Sequence, residues 1–400
     1  MSTSIRQYIA VTTSYWGFTL SDGALRIIVL FHFFNLGYSP FTLALLFLLY
    51  EVAGIFANLV GGWLTTRFGI RKMLLFGLLL QISGLLALSF LNAASVSIVS
   101  VLWVLIAQGI CGLAKDFTKT ASKAAIKGIK TDKKQGLFYW VAWFTGSKNA
   151  IKGFGFLLGG ILLNTVGFQI GLWILATLIG LVAVLIFLLL PQKFGVGTPS
   201  KKFTDLISKS PEINKISLAR IFLFGARDIW FVVALPVFLY ANHWDFWAVG
   251  AVLAIWTIFY GCIQGAAPYV MRVFSRNNKV SNRNVLSWSI SLALIPILIL
   301  FSMMIQQDAV ILLIGLTFFG FFFAINSSLH SFLIVEYAGE KKAAEDIGFY
   351  YSANASGRLV GTLLSGFLYQ YGGLLTCLGV TAIFLLISSL IVFRLENLDR

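Results

Sequence analysis

The amino-acid sequence predicts an all-α membrane protein of twelve spanning helices, arranged as two pseudo-symmetric six-helix halves. Three observations carry that expectation. Of 400 residues, 58% are hydrophobic and only 11% charged, with a mean hydropathy of +0.89, a balance outside the range of soluble domains. Apolar runs of about 20–30 residues recur along the whole chain, each long enough to cross roughly 30 Å of hydrocarbon with some tilt. Between the runs, loops rich in Lys and Arg alternate with loops that have none.

In chain order the runs fall at 8–36, 41–66, 72–91, 97–120, 136–163, 168–190, 213–241, 246–271, 285–305, 309–338, 345–371 and 374–394. The opening residues MSTSIRQYIAV lead straight into the first run without a small-residue cleavage site, so no removable signal peptide is expected. Of the 30 basic residues, 23 lie in alternate loops and at the termini: Arg6, Arg67, Arg71, Lys72, Lys119 through Lys134, Lys193 through Lys215, Arg272 through Arg283, Lys341, Lys342, Arg394 and Arg400. The turns around Gly37–Pro40, Asn92–Ser95, Asn164–Phe168, Asn242–Asp245, Gln306–Asp308 and Gln370–Gly373 hold none. By the positive-inside rule both termini are cytoplasmic, in a multi-pass protein of the cell's inner (plasma) membrane. The net charge of +15 therefore records topology and calls for no nucleic-acid partner.

Two halves follow from a break in composition and from a repeat. The polar stretch 191–212 separates an N-terminal half, 1–190, from a C-terminal half, 213–400, and reads as a cytoplasmic linker. KGFGFLLGGIL (Lys152–Leu162) and RLVGTLLSGFL (Arg358–Leu368) superpose without a gap, placing Lys152 on Arg358, Gly155 on Gly361 and Gly160 on Gly366. GALR (Gly23–Arg26) echoes FGAR (Phe224–Arg227) more weakly. Gly155, Gly159, Gly160, Gly361, Ser365 and Gly366 let helix backbones approach closely and suit a helix at a seam. Cys111, Cys262 and Cys377 sit inside apolar runs and read as packing residues, without metal-ligand spacing or a disulfide framework.

Seven basic residues remain inside the runs: Arg26, Lys115, Lys148, Lys152, Arg220, Arg227 and Arg358. The acids there are Asp22, Glu51, Asp116, Asp228 and, near the inner edge, Glu336. An arginine at a span centre costs roughly 2.5–3.5 kcal/mol on insertion scales, so each of these charges must face protein or water. Asp22 and Arg26, spaced i, i+4, can neutralise each other, whereas Lys148 and Lys152 at the same spacing repel and need an anion opposite, from another span or from a substrate. Arg227 and Asp228 are adjacent, about 100° apart around a helix. The span positions bring Arg26, Lys152, Arg227 and Arg358 near the midplane, where they would form an anion site, Arg offering bidentate contacts to phosphate, arsonate or carboxylate. Lys115 and Arg220 lie nearer the cytoplasmic side and read as entrance residues that snorkel. Tyr15, Trp16, Gln264, Asn326, His330, Tyr350, Tyr351 and Asn354 either orient a ligand or join helices. Asp22 and Glu51 are the candidate proton carriers, since burial raises a carboxylate's pKa toward neutrality.

The loop GWLTTRFGIRK (Gly62–Lys72) resembles the cytoplasmic signature of the major facilitator superfamily, Gly-x-Leu-x-Asp-Arg-x-Gly-x-Arg-Lys. Gly62, Leu64, Arg67, Gly69, Arg71 and Lys72 fit it, and Thr66 stands at the acidic position. The resemblance implies a transporter whose halves rock about a central site. Longer runs are similar to one branch, the organoarsenical efflux permease family (ArsJ): YWGFTLSDGALR, GLAKDFTK, TGSKNAIKG, RIFLFGARDIWFVVALPVF, FAINSSLHSFLIVEYA and DIGFYYSANASGRLVGTLLSG. That likeness implies export of 1-arseno-3-phosphoglycerate, the product formed when glyceraldehyde-3-phosphate dehydrogenase uses arsenate in place of phosphate, and so a functional link to that enzyme. The site residues it would involve are Arg26, Lys148, Lys152, Arg227, Arg358, Asn326, His330, Tyr351 and Asn354. The residues alone give a carrier of a small anionic substrate, and an organophosphate or sugar-phosphate transporter would use the same cations. A membrane-embedded enzyme is disfavoured: His32, His243 and His330 are dispersed, with no nucleophile motif, and neither metal nor cofactor is expected.

Topology is directly testable. A reporter fused after Lys202 is expected to read cytoplasmic and one inserted near Asn242 external; the reverse pattern overturns the placement of every charge above.

Overall fold

In a computed structural model of the chain, the described residues are 3–91, 97–127, 134–192, 194, 210–274, 282–306, 308–337 and 343–395. Most of the 191–212 linker, the Asn92–Ser95 turn and the basic residues Lys341, Lys342 and Arg400 lie outside them. The side chains of Thr66 and Arg272 lie outside them too. The described residues are almost all helical, as hydrocarbon demands: with no water to satisfy backbone N–H and C=O groups, each spanning segment must bond them internally.

The helices are α1 (Thr3–Asn35), α2 (Pro40–Leu46), α3 (Leu48–Phe68), α4 (Ile70–Ser89), α5 (Ile98–Lys127), α6 (Lys134–Thr165) and α7 (Gly167–Leu189). They continue as α8 (Pro211–Phe231), α9 (Ala234–Ala241), α10 (Phe246–Phe274), α11 (Asn282–Ile305), α12 (Ala309–Tyr337) and α13 (Ala343–Phe393). Ten stretches of the described residues are long and apolar enough to cross a membrane. The sequence reading of twelve differs in two places, each with a physical reason. Lys148 and Lys152 lower the hydropathy of α6, which otherwise has the length of a span. The 51-residue α13 is counted once, yet Gly373, at φ 66° and ψ −169°, breaks it. The chain reverses there. Cys377 Sγ lies 3.9 Å from Ser365 O, where twelve residues of straight helix would separate them by about 18 Å.

Two compact units are present. The first comprises Met1–Tyr38, Leu46–Phe203 and Asp245–Ile258, the second Ser39–Leu45, Thr204–Trp244 and Phe259–Arg400. Thus the first turns of α10 belong to the first unit and most of α2 to the second. Large apolar side chains such as Leu188, Leu298, Phe301, Ile305 and Leu390 are exposed, as expected of surfaces that face lipid.

Glycine contacts inside each unit extend the repeat found in the sequence. In the first unit a Cβ on Gly155 would strike Leu20 O and the Gly23 Cα of α1, and one on Gly160 would meet Phe246 O at 2.6 Å and the Trp247 Cα at 3.1 Å. In the second, Gly361 abuts Gly225 of α8, and Gly366 abuts Pro40 O and the Phe41 Cα. Gly160 and Gly366, Phe246 and Pro40, and Trp247 and Phe41 are all separated by the offset that relates Lys152 to Arg358.

One helix is broken by design of its sequence. Pro236 cannot donate to Val232, its ring crowds that carbonyl, and α8 gives way to α9 at Val232 and Val233. The freed amides of Val233 and Ala234 both donate to Ser365 Oγ, each at 3.1 Å, so a side chain of α13 satisfies two donors that the break exposes.

The glycine seams yield a stability test. Gly155→Val drives a branched side chain into the α1 backbone, which cannot step aside as a side chain would, and should cost about 1–3 kcal/mol. Gly180→Ala, with nothing within 4 Å of the added carbon, should be near neutral. Thermal unfolding of the purified proteins in detergent compares them; equal midpoints would show that the seam tolerates a branched side chain.

Candidate functional site

Most of the buried charges that form ion pairs fall into one cluster in each unit. In the first, Arg26 on α1 donates to Glu51 on α3 at 2.9 Å, and Glu51 is fully buried. The guanidinium also lies over the rings of Phe47 and Tyr50, at 5.1 and 5.2 Å. Lys115 stands 3.9 Å from the other oxygen of Glu51, 3.4 Å from Asp116 and 4.0 Å above the Tyr50 ring. Lys119 closes on Asp116 at 2.5 Å and donates to Asn58 Oδ1 at 2.7 Å, while Asn58 donates back to Asp116 at 3.1 Å. Charges therefore alternate from Arg26 to Lys119 across three helices, each carboxylate set between cations.

Asp22 accepts from the Tyr50 hydroxyl and lies 3.9 Å from Lys152 of α6. The anion that the Lys148 and Lys152 pair called for is, for Lys152, a carboxylate of α1. Arg26 turns to Glu51 while Asp22 turns to Tyr50 and Lys152, so the i, i+4 neutralisation expected within α1 gives way to pairing between helices. Trp16 Nε1 donates to Ser147 Oγ at 3.1 Å, a second tie between α1 and α6.

In the second unit, Asp228 of α8 bridges two arginines. Arg227 folds back onto Oδ1, with Nε at 2.6 Å, and Arg358 of α13 approaches Oδ2 at 3.3 Å. The 100° between neighbours on a helix is spanned by the length of the Arg227 side chain. Asp22 and Lys152 differ from Asp228 and Arg358 by one common offset, so each unit repeats the same ion pair. In that register Arg26 is not the counterpart of Arg227, and the GALR echo of FGAR was out of step.

Arg220 does not snorkel. It is 4% exposed, donating to Asn354 Oδ1 and to Ser327 O, both at 3.0 Å. Asn326 is fully buried and joins α12 to α11: its amide donates to Trp288 O and Phe322 O and accepts from Ser289 Oγ. Both of its N–H donors are used, one within α12 and one across to α11. His330 is fully buried and, among the described residues, neither ring nitrogen has a hydrogen-bond partner. Tyr351 is half-buried, packed edge-on to Tyr350 at 5.7 Å. Lys148 is half-buried on α6. Glu336 is exposed, as is Cys262, which therefore does not pack in an interior as its sequence context suggested. No group of three or more His, Cys, Asp or Glu among the described residues could hold a metal ion.

Sequence reasoning placed Lys119 among loop charges and passed over Asn58, Tyr50 and the bridging role of Asp228. The repeat offset, applied to Asp22, would have found Asp228.

The signature loop has its own geometry. Gly69 takes φ 87° between α3 and α4, a conformation that favours glycine. Arg71 is buried and donates to Phe187 O, near the end of α7, at 2.8 Å, lying over the Phe187 ring at 4.9 Å. A cation on the last carbonyls of a helix satisfies orphan acceptors and opposes the helix dipole.

The profile of the Major Facilitator Superfamily matches residues 8–281 and 216–399, and the chain belongs to that superfamily: it is a secondary transporter of a small substrate, not an enzyme. No curated protein matches it. Among solved structures it is similar to the human organic anion transporter MFSD10 (TETRAN), at 14% identity over 98% of this chain and 100% of that one, with a TM-score of 0.69. It is also similar to the peptide transporter POT in complex with sulfate, at 12% identity over 98% of this chain and 95% of that one, with a TM-score of 0.76. At such identities the likeness is one of fold.

The bridging carboxylate predicts a stability effect. Asp228→Asn leaves two guanidinium groups without their shared anion; breaking a buried pair costs about 3–5 kcal/mol, and the 16% exposure of both arginine side chains sets the loss at the lower end. Asp22→Asn, whose ion pair is longer, should lose less. The order of the two melting temperatures checks this.

Proposed function

We propose that the protein exports an organic oxyanion by alternating access, and that its substrate is the organoarsenical 1-arseno-3-phosphoglycerate, in arsenate detoxification. The observation that supports an anionic substrate is the number of cations within the spans: seven basic residues, two of them buried and five partly buried, against five buried carboxylates, Asp22, Glu51, Asp116, Asp228 and Asp346. The arsenical identity rests on the sequence runs that resemble the organoarsenical permeases.

The ion-pair distances sort the cations by role. Charge-assisted N–H···O bonds are about 2.7–2.9 Å long. Arg26 meets Glu51 within that range, whereas Lys152 and Arg358 stand 3.9 and 3.3 Å from Asp22 and Asp228. Lys152 and Arg358 are the cations that a substrate takes over from a resident carboxylate, one in each unit, with Arg227 and Lys148 beside them. His330, Tyr351 and Asn354 line the approach; Arg26 and Asn326 hold helices in register. Asp22, released from Lys152 when the anion binds, is a better proton carrier than Glu51, which stays paired. The protein works in the inner membrane with both termini cytoplasmic, downstream of glyceraldehyde-3-phosphate dehydrogenase.

Arsenate resistance conferred on a sensitive cell should require that dehydrogenase, and should vanish with Arg358→Ala or Lys152→Ala at unchanged membrane abundance. Arg358→Lys keeps the charge but loses the planar fork, so it should fold yet transport at least about tenfold less. Full protection by well-expressed variants at both positions would falsify the assignment of these cations. Vesicles that carry 3-phosphoglycerate as well as the arsenical would favour a general organophosphate carrier.

A further inference from the structure

We propose that Arg220, with Asn354 and His330, forms an anion-binding site inside the second unit, one that receives a phosphate, arsonate or carboxylate group. This deepens the reading above and rests on its anionic substrate. Among the arginines within the spans, charge compensation sets this residue apart. Arg26, Lys115, Lys119, Lys152, Arg227 and Arg358 each have a carboxylate within 4 Å. Arg220 has none among the described residues, although it is 4% exposed. Its partners are neutral: the Asn354 amide oxygen, the Ser327 carbonyl, and the faces of Phe224 at 3.9 Å and Tyr350 at 5.0 Å.

A guanidinium has five N–H donors, and these contacts use two. The remaining donors and a full positive charge sit in a site from which water is largely excluded, where an unpaired ion is costly and an incoming oxyanion is strongly favoured. The other arginines within the spans, Arg26, Arg227 and Arg358, each have a carboxylate partner; Arg71, which has a carbonyl instead, sits at a helix C-terminus whose dipole answers its charge.

A second observation points to the same place. His330 lies three residues beyond Ser327 on α12, so both occupy the face that Arg220 contacts. Both ring nitrogens of His330 are buried without a partner among the described residues. Buried polar atoms of that kind are rare, and a neutral imidazole brings one N–H that can donate to an anion's oxygen. Arg220 and Arg227 are seven residues apart, hence on one face of α8 and about 10 Å apart along its axis. Phe224 lies between them, against both guanidinium groups. An anion on Arg220 would thus lie two turns from the Asp228 bridge.

The test uses full-length protein in phosphatidylcholine nanodiscs, with 3-phosphoglycerate as the probe, read by calorimetry and by thermal shift. Arg220→Gln keeps a donor for Asn354 and removes a charge that no carboxylate balances. It should melt no lower than the wild type without probe, and should weaken probe binding at least about tenfold. Arg220→Lys should fall between the two. Wild-type affinity in both variants overturns the proposal, and leaves the transport reading standing if Arg358→Ala still abolishes binding. A wild-type protein that binds no probe overturns this proposal, while the transport reading stands or falls by the resistance assay above. A large drop in melting temperature for Arg220→Gln marks a structural cation and also overturns it. Phosphatidylglycerol added to the discs should not displace the probe; displacement would assign the site to a lipid headgroup instead.

Discussion

A charge held in hydrocarbon must be answered by another charge, by hydrogen bonds, or by the cargo. Most of the interior follows from that requirement. Arg26 and Lys119 are answered tightly, at 2.9 and 2.5 Å. Lys152 and Arg358 are answered loosely, and Arg220 by neutral oxygens alone. A pair at contact distance resists exchange, because separating it exposes two desolvated ions. A long pair has already forgone much of its mutual attraction and loses less when an oxyanion replaces the carboxylate. The two pairs related by the repeat, Lys152 with Asp22 and Arg358 with Asp228, are both long, and so both cations are available to a substrate.

The loose pairs exist because glycines permit them. Gly23 and Gly155 bring α1 and α6 so close that Lys152, nearly one turn before Gly155, comes within reach of Asp22. Gly225 and Gly361 do the same for α8 and α13, and Arg358 stands three residues before Gly361. Seam and ion pair share one register. A larger residue at either glycine would spread the helices and lengthen a pair that is already long, so packing and electrostatics cannot be altered independently here.

Much of this was legible in the sequence. Apolar length gave the helices, since a lipid-spanning segment has few alternatives to a helix. The constant offset of the fifth and eleventh runs marked Gly155, Gly160, Gly361 and Gly366 as seam residues and Lys152 and Arg358 as counterparts. Partner choice was not legible. Asp22 and Arg26 share a helix face, yet their partners stand on α3 and α6, because side-chain spacing along one helix says nothing about what neighbouring helices present. Arg220 looked like a snorkelling residue because distance from a span's end was taken as nearness to water, whereas α12 and α13 close over it. Asn326 looked like a ligand residue, and only the folded structure shows both of its N–H donors engaged.

The break in α8 and the Asp228 bridge belong to one mechanical arrangement. Ser365 holds the freed amides of Val233 and Ala234, and Arg358 holds Asp228 one turn before that break. Arg358 and Ser365 are seven residues apart, so they lie on the same face of α13 and tie it to α8 and α9 at two points two turns apart. An oxyanion that draws Arg358 from Asp228 removes the charged tie nearest the break, while Arg220–Asn354, Thr381–Ala226 and Ser388–Ala219 still hold the preceding turns of α8 to α13. The freedom gained is therefore concentrated where α8 is already discontinuous. Binding energy spent at the ion pair thus reaches the helix where bending costs least, which is how a charge exchange inside this unit can be converted into movement of its backbone.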